Sequence, residues 1–271
     1  MTDYSVLMSV YQAEKAEYLK ASIESMLNQT HKTNDFVLVC DGPLNENLDN
    51  VIADFESAHP GLFNVVRIPE NGGLANALNT GIEKCKNNVV ARMDSDDISD
   101  ENRIEEELKA MEEHGTDIVG CLIDEFDESI DNKLKTRIVP ETNDEIIAFA
   151  KKRSPFNHPS VIYKKDKVIA AGKYQDYQYF EDYNLWVTML ANGCKGYNVQ
   201  KVLLHMRAGA DLYKRRGGKG YLSCIWSFEK NMKEIGFISF GRYIYSATGR
   251  TIVSLMPNRS RKAMYNKTLR K

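Results

Sequence analysis

The chain has 271 residues, 42% of them hydrophobic and 27% charged, a composition that supports one large or two small folded domains and argues against a disordered chain or a pure coiled coil. Its net charge of −2 conceals an asymmetry: residues 213–271 hold 14 Lys+Arg and 2 Asp+Glu, a balance of +12, against −14 on the residues before them. A basic tail behind an acidic body calls for an anionic partner. Five dispersed cysteines without a CxxC pair (Cys40, Cys85, Cys121, Cys194, Cys224) indicate neither a disulfide framework nor a zinc site, and fit a reducing compartment. Polar Thr2 and Asp3 lead straight into a short apolar run, without the basic and long apolar regions of a signal peptide, so a cytoplasmic location is expected. The stretch 235–256 approaches membrane-spanning length, but Arg242, Arg250 and three glycines interrupt it.

In chain order, residues 4–10, 36–40, 63–68, 89–93 and 117–123 read as strands, being short and rich in β-branched or apolar side chains. Helical spacing separates them, in Tyr18, Leu19, Ile23, Met26 and Leu27 and again in Leu74, Ala77, Leu78, Gly81, Ile82 and Cys85. This alternation predicts an α/β fold with a mostly parallel, Rossmann-like sheet flanked by helices, in which ligands sit beyond the carboxyl ends of the strands. Further on, a helix over 141–151, a strand over 160–163, a helix over 181–191 and a strand over 196–205 are expected. A basic glycine-containing turn at 214–219 then precedes a helix over 221–233.

Polar residues fall where that rule places a ligand. Asp94, Asp96 and Asp97 follow the fourth strand, and carboxylates this close repel one another unless a cation compensates. A Mg2+ or Mn2+ ion shared with phosphates is one partner for them; a solvated loop capping the next helix, with Asp100 as a candidate cap, is the alternative. The cluster is not an EF-hand, because Ile98 and Ser99 stand where that loop needs an oxygen ligand and a glycine. Asp41-Gly42-Pro43 reads either as a turn or as a carboxylate for a base or ribose. Asn71-Gly72-Gly73 reads as a glycine turn feeding a helix, able to approach a nucleotide closely. Glu181 and Asp182 open an apolar helix among Tyr177, Tyr179, Phe180, Tyr183 and Trp186. They either complement the helix dipole or supply a general base beside rings that stack on a sugar. His158 holds substrate or satisfies the backbone, and His205 ends a strand.

Together these pieces resemble the family 2 glycosyltransferases of the GT-A fold, particularly the bacterial enzymes of capsular and exopolysaccharide assembly. The resemblance spans about residues 4–218. It is carried by the order of Ser5-Val6-Leu7-Met8-Ser9-Val10-Tyr11, Val37-Leu38-Val39-Cys40-Asp41-Gly42, Asn71-Gly72-Gly73-Leu74-Ala75, Ala91-Arg92-Met93-Asp94-Ser95-Asp96-Asp97, Asn157-His158-Pro159 and Phe180-Glu181-Asp182-Tyr183. It implies a nucleotide-sugar donor, most simply a UDP-sugar, bound by Val10, Tyr11, Asp41, Asn71, Gly72, Arg92, Asp94, Ser95 and Asp96. It implies Mn2+ or Mg2+ on Asp94 and Asp96 of a DXD motif, and Asp182 as catalytic base with Glu181 beside it. Substrate contacts are expected from His158, Trp186, Arg207, Arg215 and Arg216.

By the same resemblance, residues 1–97 form a nucleotide-sugar-binding half and 98–218 an acceptor and catalytic-base half. An inverting transferase results, moving a hexose or N-acetylhexosamine to a lipid-linked or oligosaccharide acceptor. The alternative is a nucleotide-sugar or metal-binding protein of this fold without transfer activity. Many relatives carry proline at the place of Ser9 and arginine at that of Leu78. Here His205-Met206-Arg207 has its histidine before the arginine, which leaves a third metal ligand open. Residues 219–271 are expected to form a basic amphipathic helical tail. It either attaches the protein peripherally to the anionic inner face of the bacterial cell membrane or forms a helical pair packed on the domain or in a homodimer. No reader motif for nucleic acid is present.

Overall fold

The computed structural model describes residues 2–208 and 219–256. Its first half is a run of strand–helix units: β1 (Tyr4–Val10), α1 (Ala16–Leu27), β2 (Asp35–Asp41), α2 (Glu46–Ala58), β3 (Phe63–Ile68), α3 (Leu74–Lys84) and β4 (Val89–Asp94). These four strands pair in parallel in the order β3-β2-β1-β4. β1 and β2 are buried on both faces, which is why their sequences run apolar without alternating. Leu7, Val37 and Val39 point to one face, under Ala77, Leu78 and Ile82 of α3. Val6, Met8 and Leu38 point to the other, under Leu19, Ile23 and Met26 of α1. Gly81 lets α3 sit low on the sheet, since a Cβ there would lie 2.3 Å from a Leu7 methyl.

The second half completes the sheet with a different pattern: β5 (Ile98–Ser99), α4 (Arg103–His114), β6 (Ile118–Asp127), β7 (Ser129–Arg137), α5 (Asn143–Ala150), a single 3-10 turn (His158–Ser160), β8 (Ile162–Lys164), α6 (Lys165–Ala170), α7 (Glu181–Ala191) and β9 (Gly196–Arg207). The path continues β4-β8-β6-β9-β5, with β7 paired to β6. β8 runs antiparallel to both β4 and β6, whereas β9 is parallel to β6. The sheet is therefore parallel in its first half and mixed in its second. Three local expectations shift. Pro159 turns 158–160 into a 3-10 turn, so that strand begins at Ile162. The cap of α4 is Asn102 rather than Asp100, and β6 runs on to Asp127 into a hairpin with β7 that its polar sequence does not announce.

Behind the strand ends lies a buried ion pair. Arg103 and Glu107, one turn apart on α4 and without exposed surface, approach to 3.4 Å, and Arg103 also donates to the Arg92 carbonyl at 3.0 Å. Burial drives the Glu107 pKa upward while the Arg103 charge opposes it.

The tail forms two helices, α8 (Lys219–Glu234) and α9 (Phe240–Leu255), the latter capped by the Ser239 hydroxyl. They pack on the domain. Ile225, Phe228, Met232 and Ile238 join the same apolar cluster as Leu185, Trp186 and Met189 of α7. Phe228 stacks on Phe180 at 4.7 Å and lies 4.6 Å from Tyr183, centroid to centroid. Asn231 donates to Asn184 at 2.7 Å. Residues 219–256 thus share the domain's core rather than forming a separate appendage; 257–271 lie outside the described residues.

Phe228→Ala leaves a cavity between α7 and α8 and is expected to cost about 3–5 kcal/mol. Urea denaturation measures it, and a loss below 1 kcal/mol would mean that the helix pair does not stabilise the domain.

Candidate functional site

The chain runs from β1 outward to β2 and β3, then returns to place β4 on the other flank of β1. That reversal opens a crevice at the carboxyl ends of β1 and β4. Ser9 pairs with Asp94 and Val10 with Cys40, so Val10, Asp41 and Asp94 end their strands side by side. Val10 is buried and Tyr11 exposed at the rim.

Asp41 is held by the glycine turn. Its two carboxylate oxygens accept the backbone N–H of Gly72 at 2.8 Å and of Gly73 at 3.0 Å, and the Asn71 side chain donates to its carbonyl at 3.1 Å. Gly42 permits this approach: it has φ +86°, and a Cβ there would sit 2.8 Å from the Asn71 nitrogen. The two amides, free in sequence terms to meet a phosphate, are occupied by a carboxylate, and Asp41 meets a ligand only through its remaining lone pairs. Leu78, at the place where many relatives have arginine, is buried in the core.

The next strand end is strongly acidic. One carboxylate oxygen from each of Asp94, Asp96 and Asp97 falls within a 4.8 Å group; among the described residues no other His, Cys, Asp or Glu joins it, and His205 stays out on β9. Burial first, then the charges of Asp94 and Glu14, push the Asp96 pKa up to about 7, and burial with Asp94 and Asp96 drives Asp97 well upward. The compensation built into the chain is Arg92. It is fully buried on β4, ion-pairs with Asp94, and leaves its Nε and Nη1 without a hydrogen-bond partner. Two hydroxyls brace the loop: Ser22 donates to the Asp94 carbonyl at 2.6 Å and Ser95 to the Glu14 carboxylate at 2.8 Å.

These side chains fit a hard divalent ion. Asp94 and Asp96 supply oxygens at the mouth, whereas Asp97 is partly engaged, accepting the Arg207 N–H at 2.8 Å. Arg207, expected to contact substrate, is occupied by protein partners. Its Nε donates to the Asp96 carbonyl at 3.2 Å and its Nη1 to the Glu128 carbonyl at 3.1 Å, and its guanidinium lies 3.8 Å from the centre of the Tyr18 ring. It braces the acidic loop. Arg215 and Arg216 lie outside the described residues.

The second half adds the candidate base. Glu181 and Asp182 occupy the first turn of α7, half-buried, and burial with the neighbouring Asp182 charge raises the Glu181 pKa. Tyr174 links this turn to the acidic one. Its backbone exchanges two hydrogen bonds with the Asn79 side chain of α3, at 2.8 and 2.9 Å. Its hydroxyl meets His158 Nε2 at 3.0 Å and lies within electrostatic reach of Arg92, Asp182 and Asp94. Burial, reinforced by Arg92, pushes the His158 pKa well down, so the ring is neutral. Trp186 corrects an expectation: it has no exposed surface, packs against Phe156 and His158, and has no face left to stack on a sugar. Phe180 and Tyr183 are buried likewise, which leaves Tyr179 as the exposed ring, held at φ +72° two residues before Glu181.

Sequence reasoning missed Glu14, Asn79 and Tyr174. Each acts across 81 to 95 residues of chain, so no local pattern marked it.

Known proteins resemble the chain in sequence and in fold. The family described as "Glycosyl transferase family 2" matches residues 5–174. The amylovoran biosynthesis glycosyltransferase AmsE of Erwinia amylovora is 39% identical over 97% of this chain and 98% of its own. A UDP-Gal:alpha-D-GlcNAc-diphosphoundecaprenol beta-1,3-galactosyltransferase of Escherichia coli is 33% identical over 99% and 97%. Among solved structures, S. aureus TarS 1-349 in complex with UDP-GlcNAc superposes with TM-score 0.69 at 15% identity, covering 99% of this chain and 76% of that one. The chain belongs to glycosyl transferase family 2 and has the GT-A fold.

The mutual repulsion of the acidic cluster gives one variant two opposite effects. Asp96→Asn is expected to raise stability in EDTA by about 1 kcal/mol, since it removes a charge from a crowded group. It should also abolish the stabilisation by Mn2+, which in the wild type reaches about 2.7 kcal/mol at a hundredfold excess over Kd. Thermal denaturation with and without MnCl2 reads both, and an equal Mn2+ shift in the variant would put the ion elsewhere.

Proposed function

We propose that this glycosyltransferase moves a hexose or N-acetylhexosamine, with inversion, from a UDP-sugar to a hydroxyl of a lipid-linked intermediate in surface polysaccharide assembly. The observation that carries the reading is that acidic turns from the two halves of the chain both come within electrostatic reach of the Tyr174 hydroxyl. Asp94 ends β4 with Asp96 just beyond it, Glu181 and Asp182 open α7, and Asp94 and Asp182 are the carboxylates within that reach. The names of the relatives favour the substrate class, one being an exopolysaccharide enzyme and the other a galactosyltransferase acting on a diphosphoundecaprenol-linked sugar.

In this reading the nucleotide lies across the ends of β1 and β2, with its base near Val10, Tyr11 and Asp41 and its ribose toward Asp94. Asn71 and Gly72 shape the pocket wall, and Ser95 fixes the loop. Mg2+ or Mn2+ on Asp94 and Asp96 supplies charge neutralisation of the diphosphate. Arg92 orients Asp94 through their ion pair. The Asp182 carboxylate takes the proton of the acceptor hydroxyl, whose oxygen bonds to the anomeric carbon as the bond from that carbon to the diphosphate breaks. Displacement on one face turns an α-linked donor into a β-glycoside. Burial first, then the Asp182 charge beside it, raises the Glu181 pKa. The neutral His158 and Tyr174 hold the space between the halves, and Tyr179 offers its exposed ring to the acceptor. A lipid-linked acceptor places the protein peripherally on the cytoplasmic face of the cell membrane.

Asp182→Asn is expected to lower transfer by about 10²- to 10⁴-fold while leaving UDP-sugar binding within about twofold. Product formation on a synthetic diphosphate-linked acceptor, alongside calorimetric donor binding, makes the test. Unchanged turnover removes Asp182 from the mechanism, and absence of turnover in the wild type with every UDP-sugar tried removes the proposed donor class.

A further inference from the structure

Helix α9 faces the wrong way for a helix in water. Its arginines turn inward: Arg250 pairs with buried Glu229 at 2.7 Å and donates to the Lys152 carbonyl at 2.8 Å, and Arg242 donates to the Lys151 carbonyl at 3.2 Å. Ala247 and Ser254 are buried beside them. Most of its large apolar side chains turn outward. Phe240, Ile244, Thr248, Ile252 and Leu255 follow one another at four- and three-residue spacing, with Tyr245 in the next row, and all are exposed. Phe240, Tyr245, Ile252 and Leu255 are each more than half exposed. At 3.6 residues per turn the six fill an arc of about 140° without a charge. Trp226 of α8, itself 37% exposed, donates to Thr251 at 3.1 Å and widens this surface. A contiguous exposed apolar surface of this kind marks an interaction site.

Charge decides between the occupants. Residues 256–271, which follow α9 directly, contain six Lys+Arg and no Asp+Glu. A two-fold dimer would set this face against its own copy, which carries the same basic excess and offers it no opposite charge. A layer of anionic headgroups reverses that sign, and an apolar helix face joined to a polybasic segment supplies the two signals that stable peripheral attachment requires. No helix among the described residues is long and apolar enough to cross a membrane.

We infer that the exposed face of α9 is the docking surface for an anionic phospholipid bilayer, with the helix lying in the plane of the interface. The placement has a use in the proposed reaction, on which it rests for its purpose alone. Tyr221 of α8 stacks on Phe180 at 5.7 Å and meets Tyr179 edge-on at 5.3 Å. The helix pair that docks is therefore also the one that seats the amino end of α7, where Asp182 stands.

Flotation of the full chain with vesicles tests the surface, without donor or acceptor, so its failure leaves the transferase reading standing. The wild type is expected to float with phosphatidylglycerol:phosphatidylcholine vesicles and not with phosphatidylcholine alone. The double variant Ile244→Glu/Ile252→Glu, altered only at exposed positions, is expected to lose at least tenfold in bound fraction with an unchanged thermal melt. Phe240→Ser, at the far end of the face, gives a second and smaller loss should the double variant fold poorly. A wild type that ignores anionic vesicles, or variants that bind them as well as it does, overturns the inference. So does a wild type that sediments as a dimer and becomes monomeric on substitution, which would assign the face to a second copy.

Discussion

The concentration of negative charge at a largely dry sheet edge governs the rest of this molecule. Three carboxylates within 4.8 Å of one another cost free energy that an isolated chain would relieve by spreading them apart. The fold prevents that. Asp94 belongs to β4, Ser22 of α1 holds its carbonyl, and the backbone of Arg207 in β9 holds Asp97. The only full cation set into the strand itself is Arg92, and its position is fixed from behind by Arg103, which in turn leans on Glu107. A line of contacts, from Glu107 through Arg103 and Arg92 to Asp94, thus runs from the helix layer through the sheet to the crevice. It leaves the mouth short of positive charge, which is the condition under which a divalent ion and a diphosphate bind together.

The second organising element is mechanical. The turn carrying Glu181 and Asp182 is tied neither to the strand ends nor to the parallel half of the sheet by sequence proximity. Two attachments hold it. Asn79 of α3 clamps the Tyr174 backbone ahead of it, and the aromatic stack of Phe180, Tyr183 and Phe228 seats it on α8. Because α8 and α9 supply part of that seat, the tail is a structural part of the half that carries Glu181 and Asp182 as well as the proposed contact with lipid.

Much of the fold was legible in the residues. Continuous apolar runs marked β1 to β4 because strands covered on both faces need no polar side, and the 3.6-residue spacing marked α1, α3 and α7. β7 and α9 were not legible in the same way. β7 is an exposed, largely polar edge strand whose pairing is set by β6, and α9 inverts the usual pattern by burying arginines against Glu229 and main-chain carbonyls. The candidate site divides likewise. The acidic residues of both turns stood out by local clustering, whereas the burial of Trp186 and the engagement of Arg207 with the acidic loop did not.

By itself the sequence determined the order of the strands' neighbours along the chain, the acidic turns at their ends, and the split between an acidic body and a basic tail. These depend on local patterning and on charge, which a linear chain displays. The tertiary structure alone decided which polar groups are already spoken for. It turned the glycine-turn amides onto Asp41, Arg207 onto the acidic loop, Trp186 into the core and the apolar side of α9 outward. Each of these is a hydrogen bond or a packing contact between segments far apart in the chain, and no arrangement of neighbouring residues encodes it.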